Sequence, residues 1–148
     1  MTEGAGGSAA TGTVIADLLV AGTDDWLDMA DVVSSLVVIE HLTAEQPELL
    51  RARALDIVER LLAAGFMEAG ETPRGGPGFV SWELDVRDAM ARIVHLWDHL
   101  RDHRGLRVLL PGLSDVCYLR NTDLGDELGN LLQSLGYTDA FRAGRIPL

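Results

Sequence analysis

The hydrophobic pattern changes from helical spacing to alternation in the segment 66–84, and this change limits the fold more than any other sequence feature. The segments FMEAGE and FVSWEL flank the Gly/Pro-rich run TPRGGPG at residues 72–78. In the second segment Val80, Trp82 and Leu84 occupy every other position, which is typical of a half-buried strand. Two such segments around a Gly/Pro-rich run indicate a β-hairpin. Because the rest of the chain mostly has helical spacing, the sequence predicts an α+β protein that is mostly helical.

Apolar residues at helical spacing, acids in first turns and capping residues predict four helices. These cover about residues 25–41, 43–65, 86–103 and 123–135. Thr43 and Gln46 have the spacing of a capping box, and Asp85 can cap the long third helix. The run DVCYLR predicts a short strand before the last helix.

The chain of 148 residues has the length of one domain. Residues 1–13 are small and almost uncharged, which predicts a disordered tail and leaves 14–148 as a single α+β domain. No run approaches the about 20 apolar residues of a membrane span, and no secretory signal is present, so we expect a cytoplasmic protein. The predicted core contains Trp26, Val33, Leu55, Val58, Leu62, Val80, Trp82, Ile93 and Trp97. The single Cys117, within a strand, is expected to be buried and unreactive.

The segment RALDIVERLLAAGFMEAGE, with TPRGGPG and FVSWEL after it, resembles the recognition helix and wing of a winged helix-turn-helix domain. The resemblance covers about residues 25–84 and implies a winged-helix-like three-helix core with a β-hairpin. A long helix, a short strand and a C-terminal helix would follow. LLAAGFMEAGE, GFVSWELD and SDVCYLRNTDLG are also similar to segments of small uncharacterised actinobacterial proteins of this architecture, a similarity that implies no activity.

The charge is strongly acidic and unevenly distributed. The chain has 23 acidic and 12 basic residues, all of the latter Arg, for a net charge of −11. Residues 1–71 hold 13 of the acids and three of the arginines, so the first half opposes binding to phosphate backbones and favours a basic protein partner. We therefore predict a non-catalytic interaction module, of an inhibitor, immunity-type or regulatory adaptor class, without a cofactor. Its predicted partner-binding residues are Asp24, Asp25, Asp28, Asp31, Glu45 and Glu48.

Two alternatives from other functional classes stay open. A winged-helix DNA-binding transcriptional regulator would use Arg51, Arg53, Arg60 and Arg74, although Asp56 and Glu59 share the relevant helix face. A small metal-dependent enzyme would use His95, His99 and His103, which recur every four residues on the third helix. Helical geometry places these histidines opposite the apolar face, on the solvent side, so we predict no metal site there.

Overall fold

The computed structural model describes residues 3–43, 45–72, 78–104, 113 and 116–136, without the side chains of 3–11 and 101–104. Within these ranges the protein is a mostly helical α+β fold, as predicted. The helices are α1 (Glu3–Gly22), α2 (Met29–Glu40), α3 (Pro47–Ala63), α4 (Val86–Arg104) and α5 (Asp123–Ser134). The strands are β1 (Leu27–Asp28), β2 (Met67–Glu71), β3 (Val80–Ser81) and β4 (Tyr118–Asn121).

The four strands form one antiparallel sheet in the order β1-β4-β2-β3. Leu119 of β4 lies opposite Leu27 on one side and Ala69 on the other, and all three side chains are buried. The neighbouring row on the opposite face pairs Glu68 with Arg120. Alternation along the strands therefore gives the sheet one face against the core and one polar face.

The core lies between the helices and the apolar face of the sheet. Leu18 and Leu19 of α1, Leu36 of α2, Ile57 of α3 and Ile93 of α4 are each at most 2% exposed. Helix α1 contacts α2, α3 and α5, and α4 packs on α3. Helix α1 is therefore central to the fold, with α2 and α5 on it.

From the end of α3 onwards, the capping residues and hydrophobic patterns of the sequence predicted the elements correctly. The Asp88 N–H donates to Asp85 Oδ1 at 2.8 Å, so Asp85 caps α4 as predicted. Helix α3 stops before Gly65, whose φ of 76° is in the left-handed region that glycine adopts at low cost. The hairpin β2–β3 and helix α5 also lie in the predicted segments, and β4 overlaps the predicted strand at 115–120 but begins three residues later and ends at Asn121.

The N-terminal boundaries differ from the prediction. Residues 1–13 were expected to form a disordered tail, but α1 begins at Glu3 and Thr13 is only 6% exposed. The helix expected over 25–41 is α2 and begins at Met29, because Asp28 is its N-cap. Gln46, and not Thr43, is the N-cap of α3, and it makes no side-chain capping hydrogen bond.

The core prediction is correct for four residues and wrong for two. Val33, Val58, Ile93 and Trp97 are buried, whereas Leu55, Leu62 and Trp82 are half-buried. Trp26 is 39% exposed because it precedes β1 in a loop, and Val80 is 48% exposed because it starts a two-residue edge strand. Cys117 is buried, as predicted, but it directly precedes β4 and is not part of the strand. None of the described helices is long and apolar enough to cross a membrane.

Candidate functional site: an acidic loop beside a cavity

The loop of residues 23–28, here called the acidic loop, joins α1 to α2 and carries three of the predicted partner-binding acids. Asp24 and Asp25 are exposed, and an Asp25 carboxylate oxygen accepts a hydrogen bond from the Trp26 N–H at 2.7 Å. Asp28 ends the loop and caps α2, where it meets Asp31. The first four predicted acids therefore lie at one end of α2.

Trp26 projects from the acidic loop onto the hairpin. Its ring lies 6.2 Å from the Phe79 ring, centroid to centroid, with 42° between the planes. A Cβ at Gly78 would lie 3.0 Å from the indole, so the small residue lets the ring approach. The Arg120 guanidinium covers Phe79 at 4.5 Å. The hairpin thus holds the indole in place while more than a third of its surface stays in solvent.

The four acids at this end of α2 have no basic partner within the described ranges. No arginine or histidine there forms an ion pair with Asp24, Asp25, Asp28 or Asp31. Partial burial of the Asp31 carboxyl group, on a residue that is exposed overall, is the main cause of its raised pKa; the nearby Asp28 charge adds to the shift, and the Asp28 N–H opposes it. Within the described ranges, therefore, no ion pair offsets the negative charge of these four acids.

Glu45 and Glu48 do not join this group. They are exposed and lie beyond the other end of α2, at the start of α3. A helix of 12 residues is about 18 Å long, which exceeds the Debye length of about 8 Å at physiological ionic strength. The predicted acids thus form two separate groups, and the one on the acidic loop has the exposed aromatic ring.

A cavity of about 210 Å³ opens between α1 and α2, next to the acidic loop. Its residues fall into a floor and a rim. Asp17, Leu18, Leu27 and Ser35 are buried and form the floor. Ala21 is half-buried, whereas Asp31, Ser34 and Val38 are exposed at the rim. Since Leu27 and Asp31 border both features, the cavity and the acidic loop form one continuous surface.

The sequence prediction did not include Asp17, Ser34 or Ser35. Asp17 is the single charge in the apolar run from Val14 to Val20, and an isolated acid in such a run is the signal that could have identified it. Its contact with Ser35 depends on how α1 packs on α2, which the local pattern does not contain.

The arginines of the DNA-binding alternative have acidic partners. Arg51 on α3 is 2.9 Å from Asp98 on α4. Arg53 donates to both carboxylate oxygens of Glu40, at 3.0 and 2.8 Å, and the hydrogen bond with Glu40 is the main cause of its raised pKa. Arg60 is 3.0 Å from Asp56. Arg74 lies outside the described residues.

The histidines of the metal alternative are not brought together with other ligands. His95 and His99 are exposed on α4, as the helical pattern predicts, while the side chain of His103 lies outside the description. Among the described residues no group of three or more His, Cys, Asp or Glu side chains could hold a metal ion.

Comparison of the chain with protein-family models, curated proteins and solved structures gave no match.

Proposed function

We propose that this protein is a non-catalytic interaction module that binds a basic protein partner through the acidic loop. The observation that carries the proposal is the exposed Trp26 ring among carboxylates without basic partners in the described ranges. Aromatic residues are enriched at the centres of protein interfaces, and tryptophan is a frequent energetic hot spot. Charged residues around such a centre raise the rate of association with an oppositely charged partner.

The chemistry of the loop suits lysine and arginine side chains in two ways. Asp24 and Asp25 offer carboxylates, and the exposed indole offers a π-face that attracts a cation. An inhibitor or immunity-type protein, or a regulatory adaptor in the cytoplasm, would need this combination and no reactive group. The same proposal holds that the protein is not an enzyme and needs no cofactor.

The scaffold in this proposal is winged-helix-like. Helices α2 and α3 followed by the hairpin β2–β3 have the order that the sequence resemblance implies. In such a domain α3 would be the recognition helix, yet Arg51, Arg53 and Arg60 are each within 3.0 Å of a carboxylate oxygen. Those ion pairs reduce the positive charge available to phosphates, so we favour a scaffold used for protein contact over one that reads DNA.

The test is affinity capture from a native lysate of the source organism, followed by association-rate measurements with the captured protein. We expect a basic protein whose association slows as salt rises. The double variant Asp24→Arg/Asp25→Arg should slow association several-fold, and Trp26→Ala should speed dissociation. Val80→Ala removes a similarly exposed apolar side chain from the sheet edge and should change neither rate.

Three results would contradict the proposal. The first is capture of a partner that is not basic, and the second is partner binding that survives both loop variants. The third is a salt-dependent gel shift of genomic DNA by the wild-type protein that is lost in Arg53→Ala. The last result would favour the transcriptional regulator. Partner binding that survives the acidic-loop variants but is lost when His95, His99 and His103 are all changed to Gln would favour the metal-dependent enzyme.

A further inference from the structure

Helix α5 presents a row of leucines to solvent, here called the leucine row: Leu124, Leu128, Leu131 and Leu135. Leu128 is half-buried, whereas Leu124, Leu131 and Leu135 are 49%, 55% and 60% exposed. Leu135 is the C-cap, and its N–H still donates to the Leu131 backbone oxygen at 3.2 Å, so the helical course continues to it. Several large apolar side chains exposed together on one helix face indicate an interaction surface.

Two glycines fix which side of α5 faces inward. A Cβ at Gly129 would lie 2.6 Å from the Leu19 backbone oxygen in α1, and a Cβ at Gly125 would overlap the Phe66 carbonyl oxygen. Gly125, Gly129 and Leu132 are the buried residues of the helix. Because their missing or buried side chains let α5 lie directly against the backbone beneath it, the helix cannot rotate about its axis without steric overlap. The leucine row is therefore held outward.

The spacing of the leucine row suits a second helix. Its members are four, three and four residues apart, which is the alternation of the d and a positions in a heptad. Leucines at these positions form a seam along one helix that packs into the seam of another helix. At 1.5 Å per residue the row is roughly 17 Å long. A helix of about three turns would cover it.

The spacing reads the same in both directions along the chain. If two α5 helices pair antiparallel, Leu124 lies beside Leu135 of the second copy, and Leu128 lies beside Leu131. An interface between two identical chains around a two-fold axis requires a surface that is complementary to itself in this way. The leucine row meets that requirement, which favours a second copy of this chain as the occupant.

The charges of α5 favour the same antiparallel pairing. The charged residues of the helix are all acids in its first half, at Asp123, Asp126 and Glu127. Its second half has the uncharged polar residues Asn130, Gln133 and Ser134, which can donate hydrogen bonds. In an antiparallel pair each acidic half lies beside the uncharged half of the other helix. A parallel pair would place the acids side by side, which is unfavourable.

We propose that the leucine row is the interface of a homodimer in which the α5 helices of two copies pair antiparallel. A contact of one short helix from each copy is smaller than the about 1,600 Å² of a standard interface, so the dimer should be weak. The leucine row does not include the acidic loop, and the inference does not rest on the proposed function.

Sedimentation velocity of the full chain, from about 1 to about 500 μM, tests the monomer–dimer equilibrium. We expect dimers at the upper concentrations. The dimer should become tighter as salt rises, because salt screens the repulsion between two chains of net charge −11. A basic partner at the acidic loop would respond to salt in the opposite direction, so the two associations can be distinguished.

Two variants locate the interface. Leu131→Gln should weaken the dimer about tenfold or more, because it removes an apolar side chain from the middle of the row. Leu49→Gln is the matched control, since Leu49 is 44% exposed on α3 and is not part of the leucine row. It should leave the equilibrium unchanged.

Cysteine cross-linking tests the antiparallel register. A mixture of Leu124→Cys and Leu135→Cys should form a disulfide-linked dimer, because the two positions face each other in this register. Neither variant should cross-link alone, since each position lies roughly 17 Å along the helix from its own copy, far beyond disulfide reach. Wild-type protein, whose Cys117 is buried, gives the background.

A chain that stays monomeric at about 500 μM would overturn the inference. The same holds for a dimer that persists in Leu131→Gln or is also lost in Leu49→Gln, for cross-linking of either cysteine variant alone, and for a mixture that does not cross-link. In a monomeric chain, thiol labelling of Leu131→Cys identifies the occupant: slow labelling would mean that the chain itself covers the row, and fast labelling would leave the row open to a different protein.

Discussion

Asp28 and Asp31 each donate a backbone hydrogen bond to the other's side chain. The Asp28 N–H donates to Asp31 Oδ2 at 2.9 Å, and the Asp31 N–H donates to Asp28 Oδ1 at 3.0 Å. This reciprocal pair is a capping box, which satisfies two donors at the start of α2. Two of the predicted partner-binding acids thus stabilise the fold as well. Asp24 and Asp25, in contrast, can be changed to Arg without loss of a helix cap.

We predict that Asp28→Ala lowers the free energy of unfolding by about 1 kcal/mol, the usual effect of a lost N-cap side chain. Asp24→Ala, in the same loop, should change it by less than about 0.5 kcal/mol, because that exposed side chain caps no helix. Urea denaturation of the two variants beside the wild type measures both values. Equal midpoints for the two variants would contradict the prediction.

The raised pKa of Asp31 gives a pH dependence of known sign. Burial is its main cause, so the folded protein holds this proton at pH values where an unfolded chain with a pKa near 3.8 has lost it. The stabilisation is complete below that value and is lost as pH rises through the raised pKa. The stability of wild type relative to Asp31→Asn should therefore fall as pH rises above about 3.8, the value of the unfolded chain. A difference that stays constant or rises with pH would show the pKa to be unshifted or lowered.

Two tryptophans should respond differently to truncation. Trp97 on α4 is 2% exposed, and replacing a buried tryptophan by alanine costs about 3–5 kcal/mol, which approaches the stability of a small domain. Trp97→Ala should lower the melting temperature sharply or prevent folding. Trp26→Ala serves as the control, since a 39% exposed ring leaves a smaller cavity and a smaller loss. A normal melting temperature for Trp97→Ala would be inconsistent with its position in the core.

Cys117 should be chemically silent in the folded state. Burial, followed by the charge of Asp28, raises the pKa of the Cys117 thiol to about 12, so almost no thiolate forms at neutral pH. Labelling by a thiol reagent should be far slower than for free cysteine and should speed up in denaturant. Its contribution to stability should decline as pH rises from near 9 towards 12, and Cys117→Ala should lack that decline. Rapid labelling of native protein would refute this placement.

The ion pair between Glu40 and Arg53 joins the end of α2 to α3 from positions that are largely shielded from water. The Glu40 and Arg53 side chains are 10% and 23% exposed. Glu40→Ala leaves the guanidinium without its two-oxygen acceptor and should cost about 1–3 kcal/mol. Glu59→Ala, at an exposed position on α3, is the control and should be nearly neutral. A double-mutant cycle with Arg53→Ala measures the coupling, and a coupling near zero would mean that the pair contributes nothing.

Local patterns predicted the elements whose signals lie within a few residues. Asp85 before an apolar stripe indicates α4, and Gly65 after one indicates the end of α3. Trp26 was misplaced because it has helical spacing with the apolar residues of α2, although Asp28 starts the helix after it. The pattern shows which residues are apolar, while the cap decides which of them enter the helix.

Long-range pairing limited prediction of the sheet and the candidate site. Leu27 and Leu119 are opposite each other in the sheet, yet neither segment indicates the other in the sequence. The cavity likewise lies where α1 packs on α2, and neither segment indicates in the sequence that Asp17 contacts Ser35 across that interface. The cluster of acids was predictable from charge, but the sequence placed it on a helix over about 25–41 and not in a loop. The exposed ring depends on the contact of Trp26 with the hairpin, and the adjacent cavity depends on the packing of α1, which begins within the segment expected to be disordered.

The position of β4 has a consequence for how the chain folds. This strand, at residues 118–121, lies between β1 and β2, so a late segment of the chain joins β1 to the hairpin β2–β3 in one sheet. During synthesis β1 would leave the ribosome about 90 residues before its partner β4. At about 5–20 residues per second, β1 would wait several seconds for β4 to emerge. The segment 25–84 contains α2, α3 and the hairpin β2–β3, and if it were excised β1 would lack its β4 partner. Folding should therefore be a late, all-at-once event with a rate limited by non-local contacts.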